Sequence, residues 1–294
     1  MTKQELIEIF ITESKTLERK YSDKTISTYL EFISKFIDST DKDMSEVTER
    51  DIRMFLFPYN DKSEATYNLC VASLRTFFDV LSHSIFVEEN YITKNPMENI
   101  RSVSYSNTKQ TYAIDKDTYY KIISGCKNER DRAIVTCFMN LGLREHELIA
   151  LTLDQYFNRD EDNSIELTVT KGSKKRTIYL NENVCKAIDD YLLVRKDSDY
   201  DNLFISNGRK PMTPSCIYRT LKTCAKRGGV SEDVIKNLHP HTLRASCSTM
   251  NIQNGVPITV VASMLGHSTV DVTFSHYIDR DNIGVKEAML GMNL

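Results

Sequence analysis

Residues 94–114 read KNPMENIRSVSYSNTKQTYAI, and no hydrophobic period survives the stretch. Pro96 breaks the helical pattern, and the polar tract 102–111 has the composition of a linker. That interruption argues against one continuous core through all 294 residues. Two domains are expected, 1–107 and 108–294, each long enough to bury its own core.

The two parts differ in period. Upstream, Ile26, Tyr29, Leu30, Ile33 and Ile37 keep helical spacing, as do Tyr67, Val71, Leu74, Phe78 and Leu81. Ser22 and Ser63 are the expected N-caps of these helices. Shorter helices are expected over 4–19 and 45–56, which makes a bundle of four or five. Downstream, helices are expected over 115–125 and 129–152 before the pattern changes. QYFN, SIELTV (164–169) and RTIYL (176–180) are short and rich in β-branched or aromatic residues, so a three-stranded antiparallel meander is predicted. Helices should resume over 182–195 and over 214–227, the latter with Thr213 as N-cap and Pro214 in the first turn. Others are expected near 242–254, 257–264 and 269–278. The fold class is therefore mainly α: a helical bundle, then an α+β domain with a small antiparallel sheet.

Net charge is −3, which by itself weakly disfavours a nucleic-acid partner. The distribution is more informative. Residues 1–107 carry 13 Lys+Arg against 18 Asp+Glu, whereas 108–294 carry 25 against 23. Within the second part, 202–231 holds Arg209, Lys210, Arg219, Lys222, Lys226 and Arg227 and no acid, and KGSKKR (171–176) packs four cations into six residues. Two such runs in one domain suggest a local phosphate-binding surface. No apolar run reaches membrane-span length, and MTKQELIEIF lacks the apolar stretch of a signal peptide. The seven cysteines are odd in number and form no CxxC. Reduced thiols in a cytoplasmic setting, without a thiolate metal site, are the expectation.

LGLREHELIAL (141–151) poses a local problem. In a helix running through it, Arg144 shares the inner stripe with Leu141, Leu148 and Leu151. Arginine keeps its proton and is seldom buried without a partner. Glu147, at i+3, is one possible partner and a phosphate is another. Four further stretches carry phosphate-competent groups: Lys171 beside Gly172 at the hairpin tip, His241 and Arg244 at i and i+3 in HPHTLRAS, His267 after Gly266 in LGHS, and Tyr277 ten residues on. Singly, each has an ordinary reading: a solvated lysine, a capping or core histidine, one tyrosine of 15. Together they are what metal-free phosphodiester transfer requires. Two guanidinium forks can bracket the phosphorus and hold its non-bridging oxygens. A phenol can form a reversible ester, and a lysine can protonate the leaving alkoxide.

Arg144-x-x-Glu147 within GLREHELIALTLDQ, Lys171 in the hairpin, His241-x-x-Arg244, LGHS ending at His267, and Tyr277 resemble, in order and spacing, the boxes of the tyrosine recombinases or phage integrases. The resemblance covers roughly 113–280, and the helical bundle, linker and length are similar to Xer-like two-domain members. It implies a SAM-like core-binding N-terminal domain and a C-terminal catalytic domain that clamp duplex DNA, with no extra arm-binding domain in front. It further implies that Tyr277 attacks the scissile phosphate to leave a 3′-phosphotyrosyl link, and that Arg144 and Arg244 hold the phosphate. His267 would donate a hydrogen bond, Lys171 would be the general acid, and His241 would assist as base or hydrogen-bond partner. Glu147 would orient an arginine or a histidine. No metal, cofactor or ATP is implied. Partners would be double-stranded DNA and further recombinase subunits, forming a tetramer on synapsed DNA and a monomer or weak oligomer when free. One departure stands out: a histidine often follows the box arginine in the family, and Ala245 is found instead.

Backbone-contact candidates are Lys174, Lys175, Arg176, Arg209, Lys210, Arg219, Lys222 and Arg227. Lys24, Thr28, Thr66 and Arg75 are candidates from the first domain. Three rival readings exist: a type IB topoisomerase-like enzyme, a metal hydrolase using His239, His241, His267 and His276, and a non-catalytic DNA-binding relic. No HExxH or carboxylate cluster supports the second.

Overall fold

The computed structural model describes residues 1–16, 20–89, 91–104, 112–167 and 175–266. The chain divides into two compact units, Met1–Asn107 and Thr108–Leu294.

In the first unit, α1 (Lys3–Ser14), α2 (Asp23–Asp38), α3 (Glu49–Leu56) and α4 (Glu64–His83) surround an aromatic core. The caps are local and polar. Ser22 and Ser63 accept from the backbone N–H groups of Thr25 and Thr66, and Thr2 with Glu5 forms a reciprocal capping box. Phe36 and Phe78 meet edge to face at 5.8 Å, Phe77 and Phe78 at 5.4 Å, and all three are buried. Two expected boundaries shift: α1 stops at Ser14, and a 3₁₀ turn over Met44–Glu46 precedes α3. Beyond the bundle the chain is strapped along α4. The Asn68 amide exchanges two hydrogen bonds with the Val103 backbone, at 2.8 and 2.9 Å, and Arg75 donates to the Ile100 carbonyl.

The second unit runs α5 (Lys116–Ser124), α6 (Glu129–Leu141), α7 (Glu145–Ala150), α8 (Leu153–Phe157), β1 (Ser164–Leu167), β2 (Arg176–Tyr179), α9 (Glu182–Leu192), α10 (Pro214–Arg227), α11 (Glu232–Asn237), α12 (Pro240–Gln253) and α13 (Ile258–Leu265). Its centre is α6, where Ala133, Ile134, Val135, Cys137 and Phe138 are all solvent-free. An element buried on so many sides must be covered on each of them, and α9 and α12 lie against it. α5 packs on α10 through backbone: a Cβ on Gly228 would stand 1.8 Å from the Lys121 carbonyl oxygen. Gly228→Ala is therefore expected to lower unfolding free energy by about 1–3 kcal/mol. Urea denaturation measures it, and an unmoved midpoint would mean the helices are not held this close.

Three expectations need correction. The helix over 129–152 is two helices. Gly142 takes the left-handed conformation (φ 55°) and ends α6, and Arg144 is the N-cap of α7, so Leu141 and Leu148 belong to different helices. QYFN is not a strand. Thr152 and Gln155 form a capping box that starts α8, and Tyr156 turns inward to donate to Asp189 Oδ1 at 2.7 Å. The sheet therefore has two strands among the described residues, β1 antiparallel to β2 with Ile165 opposite Ile178. The short helix α11 was not anticipated. The expected helix 269–278 and the strand end 168–169 lie outside the described residues.

Candidate active site

Four charged side chains from three elements of the second unit, α7, β2 and α12, meet at the end of α13. Glu147, in the first turn of α7, is completely buried. Its Oε2 accepts the Arg144 backbone N–H at 2.7 Å, and its Oε1 accepts Arg144 Nη1 at 2.8 Å. Arg176, from β2, donates Nη2 to the same Oε2 at 2.6 Å. The capping box that starts α7 thus also charges the site. Burial works against the ionised carboxyl, but the Arg176 hydrogen bond, the Arg144 N–H and both guanidinium charges outweigh it and hold Glu147 below the usual glutamate range.

The three arginines share a second target. α13 ends at Gly266, in the left-handed conformation, and its last carbonyls would otherwise lack partners. Arg176 donates to the Met264 carbonyl, Arg244 to that of Leu265, and Arg144 to that of Gly266 at 3.0 Å. Three consecutive oxygens at the negative end of a helix each receive a guanidinium. Arg244, in α12, also donates to the Gly142 carbonyl, so one side chain ties the ends of α6 and α13 together. Burial, then repulsion from Arg144 and Arg176, pushes its guanidinium down from the usual arginine value. Arginine nevertheless stays protonated in proteins. Among the described residues, three guanidiniums thus gather around the Glu147 carboxylate.

Beside it lies a cleft of about 590 Å³, lined by Arg144, Arg244, His239, His241, Ser215 and Tyr218 among others. The two guanidinium groups expected to act together do open onto one cavity. His239 is the N-cap of α12: its Nδ1 accepts the Thr242 N–H at 3.2 Å. Burial, then nearby Lys222, lowers its pKa. His241 is exposed, with its ring stacked 6.2 Å from that of His239. No group of three or more His, Cys, Asp or Glu among the described residues is arranged to hold a metal ion. Lys171, Lys174, His267, His276 and Tyr277 lie outside the described residues.

Among the cationic candidates, Lys24, Lys175, Arg209, Lys210, Arg219 and Arg227 are exposed, and Lys222 is partly so. Lys175 pairs with Glu166 at 2.8 Å, and Lys222 lies 4.6 Å over the Tyr218 ring. The hydroxyls of Thr28 and Thr66 bond within their own helices, and the Arg75 guanidinium is engaged by the Ile100 carbonyl. Arg176 departs most from expectation. Grouped with the exposed cations of its run, it proves 8% exposed and committed to Glu147 and Met264. A signal for this was present: with period 2, Arg176 shares a strand face with Ile178 and Leu180, and both of those are buried.

Residues 112–282 match the phage integrase family, and residues 6–83 match the N-terminal SAM-like domain of phage integrases. The chain is 35% identical over 226 residues to a tyrosine recombinase XerC from Caldanaerobacter subterraneus subsp. tengcongensis, a match covering 74% of this chain and 60% of that one. It is 28% identical over 277 residues to a tyrosine recombinase from Thermosipho africanus, covering 90% and 92%. Its fold is similar to that of the XerH site-specific recombinase bound to a palindromic difH substrate (TM-score 0.72, 20% identity, 90% of this chain and 78% of that one). It is also similar to the Tn1549 transposon integrase in complex with transposon right-end DNA (TM-score 0.73, 16% identity, 98% and 99%). With both parts of the sequence matched in order, the chain belongs to the phage integrase family, the tyrosine recombinases.

Proposed function

We propose that this chain is a site-specific DNA recombinase that cuts and rejoins strands through a 3′-phosphotyrosyl intermediate. One observation carries the reading. Arg144 and Arg244 face a common cleft, which Glu145 also lines, and among the described residues the three guanidiniums of their cluster are held by Glu147 and by helix-end carbonyls, an arrangement that a phosphodiester would complement. In the proposed reaction the Tyr277 hydroxyl gives its proton to His241 as its oxygen bonds to phosphorus, the bond to the 5′-oxygen breaks, and Lys171 gives that oxygen a proton. Arg144, Arg244 and His267 neutralise the charge gathering on the non-bridging oxygens, and His241 assists at Tyr277. One phosphoester is exchanged for another, so the reverse step rejoins the strand without ATP. Double-stranded DNA and further copies of the recombinase are the proposed partners.

The test is a pool of nicked suicide duplexes, part tiled from DNA flanking the chain's own coding region and part randomised. A covalent protein–DNA adduct should form in EDTA, and peptide mapping should place the nucleotide on Tyr277. Loss of the adduct in EDTA, attachment elsewhere, or no adduct from either part of the pool would contradict the reading. Supercoil relaxation without exchange of ends would point to the topoisomerase-like alternative.

A further inference from the structure

Arg176 does not line the cleft, yet it touches both things that hold Arg144: the Glu147 carboxylate and the end of α13. We propose that Arg176 is a positioning residue for the anion site, holding Glu147 and the Met264 carbonyl at once so that Arg144 and the last turn of α13 are set before a phosphate arrives. That the anion is a phosphate rests on the function proposed above.

The two oxygens of Glu147 are divided between the arginines. Oε1 serves Arg144 Nη1, whereas Oε2 is shared between the Arg144 N–H and Arg176 Nη2. With Oε2 occupied, Arg144 spends only one of its terminal nitrogens on the carboxylate. The Arg144 side chain stays 23% exposed and lines the cleft, while the Arg176 side chain is 8% exposed. Without Arg176, a buried carboxylate would have Arg144 as its one charged hydrogen-bonding partner among the described residues. Bidentate pairing would then draw the fork off the cleft.

The register at α13 points the same way. The two cleft-lining arginines take the carbonyls of Leu265 and Gly266, and the Met264 carbonyl is left to Arg176. Gly266 is packed against the arm that does this: a Cβ there would stand 2.7 Å from Arg176 Cδ and 3.9 Å from Arg144 Nη1. Arg176 Nε is buried with no hydrogen-bond partner among the described residues, so the fork is oriented for its two terminal contacts even at the loss of a third. A lysine, a point charge without a fork, cannot span both acceptors.

Arg176→Lys and Arg176→Gln test this in the full-length chain, with arginine Nε–H resonances read by NMR during titration with inorganic phosphate. In the unmutated protein the Arg144 and Arg244 signals should shift together. In either variant the midpoint at Arg144 should weaken about tenfold, the size expected when one charge-assisted bond of a network is lost. The pH profile provides a readout that a purely structural role would leave alone. Among the described residues, the charges facing Glu147 include Arg144 on its own helix, Arg176 from β2 and Arg244 from α12, with Glu145 and His146 beside it in sequence. Removing Arg176 should raise the Glu147 pKa and move the acid limb of phosphate binding to higher pH, more for Gln than for Lys.

A folded variant with unchanged Arg144 midpoint and acid limb would overturn the proposal. Should neither variant fold, the unmutated protein decides: the Arg176 Nε–H signal should be sharp and in its final position before phosphate is added, and an Arg176 signal that becomes ordered only on phosphate addition would overturn the proposal. Phosphate titration needs no strand cleavage, so failure of this proposal is distinct from failure of the recombinase reading.

Discussion

Arg244→Ala is expected to slow single-turnover cleavage of a suicide duplex about 10²–10³-fold, the usual cost of removing a preorganised donor from a developing oxyanion. The geometry explains why so buried a residue should matter so much. Arg244 is 3% exposed, and its fork is fixed by two carbonyls at the ends of α6 and α13. It is therefore oriented before substrate binds, with no reorganisation left for the moment of reaction. Arg244→Lys keeps the charge but not the two-ended anchoring, and should recover little of the loss. Rates must be compared below the melting transition of each variant, because the same side chain also ties two helices together. Cleavage by folded Arg244→Ala within threefold of the unmutated rate would remove it from the reaction.

Glu147→Ala should lower unfolding free energy by about 3–5 kcal/mol, the range for breaking a buried ion pair from one side. The carboxylate is solvent-free, so solvent screening does not dilute its contribution. Its removal strands two guanidiniums and the Arg144 backbone N–H in one step. Glu147→Gln, which keeps an acceptor and the shape, should lose less. The pH dependence follows from the direction of the shift. Glu147 has a folded-state pKa below its unfolded value, so its stabilisation is complete above the ordinary glutamate range and fades as pH falls through the depressed value. The Ala and Gln variants should therefore show a flatter acid limb of stability than the unmutated chain. Denaturant midpoints measured from neutral to acidic pH check this, and parallel curves would rule Glu147 out as the group responsible.

What could be read along the chain was what depends on near neighbours. Ser22, Ser63 and Thr213 cap helices because a side-chain oxygen reaches an N–H three residues ahead, and that reach is set by sequence distance. The contact between Arg144 and Glu147 is of the same kind, three residues apart. The helix over 129–152 and the strand at QYFN misled because apolar spacing carries no mark of where a period ends. Gly142 in the left-handed conformation and the Thr152–Gln155 box ended one pattern and began another.

The sequence by itself determined the two-part organisation, the run of helices and the inventory of phosphate-competent residues, because periodicity, caps and family boxes are written in adjacent or regularly spaced positions. Only the tertiary structure decided that Arg144, Arg176 and Arg244 share one helix end, and that a cation grouped with the surface is buried under it. Those partners lie 122, 88 and 21 residues from the carbonyls they hold, and 29 residues separate Arg176 from Glu147. Contacts at such separations exist only once α6, α7, α12, α13 and β2 have packed, and no spacing rule along the chain encodes them.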